Sequence, residues 1–300
     1  MLHQQIAQNK RRTVLVILAY LGLFLLIGAA IGYYAWNDPR IGIVIALVGG
    51  ALYSWVMIGQ STSVVMRLNN AHHITDNSQY PALWNIVGDM AIVAQVPMPQ
   101  IYVIDDPSPN AFATGSSPEK AAVAVTTGLL TTLNREELEG VIAHEFAHIR
   151  NYDVRLQTIA IALGAVISIL VQIGSRFFLF GGRGRRSSDN DKGGGVVAIV
   201  MLVLSLLAII LGPLMATLIQ LTLSRNREYL ADATAVDFTR NPHGLISALR
   251  KISEGPAMKQ ADPQSATMYI SNPFKKSSGR DSLFSTHPST ENRISRLEAM

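Results

Sequence analysis

The sequence predicts a mainly α-helical membrane protein, in which four transmembrane helices carry an α+β domain on the cytoplasmic side. Three observations predict it. Four apolar runs are free of charge and comparable to the roughly 20 residues that cross a bilayer. Basic residues gather at the ends of those runs. The remaining segments mix short strand-like runs with helical apolar spacing. With 300 residues, 49% hydrophobic and only 15% charged, the chain has room for one or two domains. It has no cysteine, which excludes disulfides and thiolate metal ligands. The net charge of +4 is mild and flanks apolar segments, so a lipid bilayer is the expected partner and nucleic acid is not.

The apolar runs are Thr13 to Trp36, Ile41 to Gly59, Leu156 to Ser175, and Gly193 to Ser224, which contains Pro213. The first is too long for a signal-peptide core and lacks a clear cleavage site, so it reads as a retained anchor. Its Gly and Ala residues suit close helix packing. The runs divide the chain into an N-terminal hairpin (1–60), a first half-domain (61–155), a second hairpin (156–223) and a second half-domain (224–300). Lys10, Arg11 and Arg12 place the N-terminus inside, and both half-domains follow to the cytoplasmic side. Arg176, Arg183, Arg185, Arg186 and Lys192 fall on the opposite side, so the charge bias is thin. The Gly/Arg/Ser stretch from Gly181 to Gly195 reads as a flexible loop, and with Lys275 to Asp281 as a candidate for self-cleavage.

In the first half-domain, Pro81 to Ala94 has helical periodicity, and Pro97 and Pro99 end it. Ile101 to Ile104 and Ala121 to Thr126 read as strands. Asn134 reads as an N-cap, with Glu137 at the capping-box position. The helix it opens runs into His144-Glu145-Phe146-Ala147-His148. Residues four apart share a helix face, so the two imidazoles can hold one metal ion. Without cysteine, histidine and carboxylate ligands suit one Zn²⁺, which activates water while Glu145 takes its proton. Such a site cleaves amide bonds. Few residues separate His148 from the third run, so the site is expected roughly 10 to 15 Å from the membrane boundary.

A hydrolytic zinc needs a third protein ligand. Asn151 and Val154 exclude the extended H-E-x-x-H-x-x-G-x-x-H pattern. Glu228, just past the fourth run, emerges on the same side as His148 and is assigned as that ligand. Asp232, four residues on, is assigned as the carboxylate that orients a zinc histidine. A solvated helix end is the plainer alternative. His3, His72, His73 and His243 read as ordinary terminal or linker histidines, His243 at a helix start.

His144-Glu-Phe-Ala-His148 paired with Glu228-Tyr-Leu-Ala-Asp232 across a membrane hairpin resembles the HtpX group. These are gluzincin proteases of membranes, related to the CAAX prenyl endopeptidases. The resemblance spans nearly the whole chain and includes Asn110-Ala-Phe-Ala-Thr-Gly115 and His287-Pro288. It implies a gluzincin-like metalloprotease domain and a zinc endopeptidase of the bacterial inner membrane. The implied substrates are unfolded or damaged membrane proteins, in a quality-control and stress-response role. It further implies that Asn110, Ala111, Phe112 and Ala113 form a substrate-facing edge, where an extended peptide can pair. An ordinary loop is the plainer reading of that segment. His287 resembles a histidine beside the reacting centre, able to donate to an oxyanion. Arg293 is expected to pair with a carboxylate that the sequence does not name. Prenyl-protein processing, a catalytically silent zinc scaffold and a transporter with a metal site are the alternatives. The intact Glu145 disfavours the scaffold, and spans without ionisable residues disfavour the transporter.

Overall fold

The computed structural model describes residues 2–163, 225–274 and 288–300. Its helices include α1 (Leu2–Trp36), α2 (Pro39–Leu68), α3 (Pro81–Ala94), α4 (Thr127–Thr132), α5 (Arg135–Arg150), α6 (Arg225–Thr239), α7 (Pro242–Glu254) and α8 (Thr290–Glu298), and residues 153–163 are helical as well. Four short strands, β1 (His72–Ile74), β2 (Gln100–Ile104), β3 (Ala111–Thr114) and β4 (Ala122–Thr126), form one sheet. The chain divides into two compact units: Met1–Arg12 with Gln60–Ile159 and Gln220–Met300, and Thr13–Gly59 with Ala160–Ile219.

In the second unit, α1 and α2 supply most of the described part, with residues 160–163 the remainder. Gly28, Gly32 and Gly42 let them touch backbone to backbone, for a side chain at Gly42 would fall on the Gly28 carbonyl. Tyr20, Phe24 and Tyr53 stack beside that crossing. Apolar side chains point outward: Val48 is 63% exposed and Trp55 75%. Among the described residues, α2 is the one helix long and apolar enough to cross a membrane. The first apolar run lies inside α1, continuous with the basic N-terminal residues. Most of the third run and all of the fourth lie outside the described residues.

The first unit is built around α5. Asn134 caps it through a full capping box: Glu137 N–H donates to Asn134 Oδ1 at 3.0 Å, and Asn134 N–H to Glu137 Oε2 at 2.8 Å. Glu137 also accepts from Lys251 Nζ (2.7 Å) and Ser247 Oγ (2.6 Å), which ties the start of α5 to α7. Gly140 lets α7 approach; a Cβ there would sit 2.8 Å from the Leu245 backbone nitrogen. Leu83, Ile86, Val87 and Met90 of α3 join Val123, Val125, Val141, Ile142, Phe146 and Leu249 in one buried core. α5 is buried almost all round, as a central helix should be.

The sheet order is β1-β2-β4-β3, with β2 and β4 parallel and both outer pairs antiparallel. Two departures from the sequence reading occur here. His72 and His73 belong to strand β1, not to a bare linker, because β2 offers an edge to pair with. The Asn110–Gly115 segment is not an ordinary loop: Ala111–Thr114 is an edge strand. Its four residues are all buried, so no polar–apolar alternation announces it.

Candidate active site

α5 presents His144 and His148 one turn apart, and α6 packs beside it with Glu228 in its first turn. The Nε2 atoms of the two histidines lie 3.2 Å apart. Glu228 Oε2 is 3.7 Å from His144 Nε2, and Oε1 is 3.6 Å from His148 Nε2. One ligand atom from each of the three residues falls within 4.8 Å of the others.

The far side of each ring faces a carboxylate. His144 Nδ1 is 3.0 Å from Asp232 Oδ1. His148 Nδ1 is 3.2 Å from Asp153 Oδ2. A ring nitrogen whose proton is held by a carboxylate leaves its Nε2 lone pair facing inward. With both rings in that state, two Nε2 lone pairs and the Glu228 carboxylate converge as a donor set that a cation would take. Glu145, buried beside them, leaves Oε1 without a hydrogen-bond partner among the described residues. Nitrogen and oxygen donors without sulfur, each with a carboxylate behind the imidazole, fit Zn²⁺.

Arg293 is the buried counter-charge. It donates to Asp232 through Nε (2.9 Å) and Nη2 (2.6 Å), and through Nη1 to the Ile270 carbonyl (3.0 Å). This is the carboxylate the sequence could not name. Although burial opposes charge, Arg293 and His144 hold the Asp232 carboxyl far below the usual carboxylate range. Burial and the Arg293 charge lower His144 to about 4, so it stays neutral and free to be a ligand. Burial also pulls His148 down, but Asp153 and Glu228 outweigh it and raise it to about 9. Burial, assisted by Glu228, pushes Glu145 up to about 7 against the pull of His148 and the Ala113 backbone amide. A carboxyl near neutrality suits a group that must both accept and return a proton.

The structure therefore brings His144, Glu145, His148, Glu228 and Asp232 together. Ala113 reaches Glu145 through its backbone. Asn110 is buried at the start of β3, with its side chain turned to Ser271 rather than to the histidines. Ala111 and Phe112 lie along the same strand. His287 falls outside the described residues, as do both candidate self-cleavage segments. Asp153 was missed by the sequence reading. It lies beyond the Asn151 cap and Tyr152, whose φ of 59° turns the chain back, so helical spacing does not predict its return to His148.

The description "Peptidase family M48" matches residues 77–300 of this chain. A "Protease HtpX homolog" of Ligilactobacillus salivarius (strain UCC118) is 60% identical over 300 residues, all of both chains. One of Limosilactobacillus fermentum (strain NBRC 3956 / LMG 18251) is 55% identical over 302 residues, again covering both chains fully. Among solved structures, the crystal structure of S. mikatae Ste24p is similar over 98% of this chain and 66% of its own, at 19% identity and a TM-score of 0.46. The family match covers most of the chain and the relatives align from end to end, so this chain belongs to peptidase family M48, in its HtpX-type group.

Proposed function

We propose that this chain is a zinc-dependent endopeptidase of the bacterial inner membrane, cleaving unfolded or damaged membrane proteins on the cytoplasmic side. The observation that carries the reading is the convergence of His144 Nε2, His148 Nε2 and Glu228 carboxylate oxygens beside a buried Glu145. The apolar, outward-facing α2 and the basic residues ahead of the first apolar run support a membrane setting, and the four uncharged apolar runs are read as its spans.

His144, His148 and Glu228 would hold the zinc, which when bound polarises the scissile carbonyl and acidifies water toward neutral pH. Glu145 accepts the proton of the attacking water on Oε1, which has no partner among the described residues, and returns it to the leaving nitrogen. Asp232 and Asp153 fix the tautomer of their histidines by accepting from Nδ1–H. Arg293 keeps Asp232 ionised and immobile.

Degradation of unfolded casein by detergent-purified chain tests the reading. Cleavage should require zinc, stop with chelator, and fall roughly 10²- to 10⁴-fold in Glu145→Ala, with zinc content kept. Undiminished cleavage in that variant would overturn the mechanism.

A further inference from the structure

β3 stands at the end of the sheet, and its outer backbone positions follow from the register. Thr126 N–H donates to the Asn110 carbonyl, so Asn110 faces β4. Alternation then turns Ala111 and Ala113 outward. Those are the positions a peptide adding to the edge would take. The chain already uses them. Phe112 forms an antiparallel bridge with Tyr269, and Ile270 N–H donates to the Ala111 carbonyl at 2.9 Å.

This strap is held by side chains more than by a ladder. Asn110 Nδ2 donates to the Ser271 carbonyl at 2.9 Å. Arg293 holds the Ile270 carbonyl, and Tyr269 packs edge-on against Phe112 with ring centroids 4.8 Å apart. Tyr269 Oη donates to Asn69 Oδ1 at 2.9 Å, one residue past the end of α2. The backbone pairing itself is a single bridge. A peptide strand offers β3 equivalent hydrogen bonds, so exchanging strap for peptide is close to neutral in backbone terms. The side-chain latches then decide which one occupies the edge.

We infer that Tyr269–Ile270–Ser271 is a built-in competitor for the β3 edge, which a substrate backbone must displace to reach Glu145. The inference rests on the proposed peptidase reading. It makes the Tyr269–Asn69 bond a determinant of how readily peptides enter, although neither side chain is among the proposed metal ligands.

The test uses the full-length, naturally cysteine-free chain. Phe112→Cys with Tyr269→Cys allows a disulfide across the bridge, where antiparallel Cα atoms are close enough to join. Oxidised protein should keep its zinc but lose cleavage of a fluorogenic unfolded peptide, and reduction should restore it. Tyr269→Phe keeps the ring and removes one latch, so kcat/KM should rise roughly 2- to 10-fold, mainly through KM. Equal cleavage by the oxidised and reduced forms, or an unchanged kcat/KM in Tyr269→Phe, would overturn the strap while wild-type cleavage left the peptidase reading standing. No zinc-dependent cleavage by wild type would overturn both.

Discussion

His144 and His148 come from one five-residue motif, yet their surroundings differ. His144 is backed by Asp232, which a buried Arg293 grips through two nitrogens at 2.9 and 2.6 Å. His148 is backed by Asp153, whose own partner Arg227 stands 3.7 Å away at a less buried edge. Burial and the Arg293 charge keep His144 neutral against the pull of Asp232, whereas at His148 Asp153 and Glu228 outweigh burial and favour a proton until a metal displaces it. The motif thus fixes where the imidazoles point, while carboxylates outside it, one nearby and one far along the chain, fix how firmly each is held.

Breaking the stronger side should cost most. Arg293→Met leaves the Asp232 charge buried without its partner, and thermal or denaturant unfolding should show a loss of about 3–5 kcal/mol. Asp232→Asn spares the shape but weakens the hold on the His144 tautomer. Zinc affinity, measured by competition with a chromophoric chelator, should fall about 100-fold, the upper end for such partners. Asp153→Asn sharpens the comparison from the other side. Its looser ion pair predicts a loss nearer tenfold in the same assay. Equal losses in the two variants would mean that the difference between the two histidines has no energetic content.

The smallest effect lies at the start of α5, away from both histidines. Burial opposes ionisation of Glu137, but Lys251, Ser247 and the Asn134 amide hold its pKa below the ordinary 4.5. A depressed carboxyl stabilises the fold above its unfolded pKa, and that contribution is lost as pH falls through the folded value. Glu137→Gln should therefore cost about 1 kcal/mol at pH 7, with the gap to wild type closing below about pH 4.5.

The sequence made α5 legible because every local signal agreed: an N-cap, a capping-box partner, apolar spacing and two histidines on one face. α3 was equally plain, with Pro81 opening it and prolines just beyond its end. Glu228 and Asp232 could be placed beside the motif because they repeat at helical spacing after an apolar run. The rest depended on pairing that no local pattern encodes. β1 is three residues long with two exposed histidines, and it is a strand only because β2 is there. β3 is covered on both faces, so it shows no alternation. Arg293 announced a charge but not its partner 61 residues away. The strap at Tyr269 has no periodicity, and its meaning comes from the edge it occupies.

The most direct measurement is a diffraction map of the zinc-loaded chain at the zinc absorption edge. One anomalous peak is expected about 2.0–2.2 Å from His144 Nε2, His148 Nε2 and a Glu228 oxygen, with Glu145 beside it but not bonded to it. A peak ligated by other residues, or by the two histidines with Glu228 turned away, would contradict it.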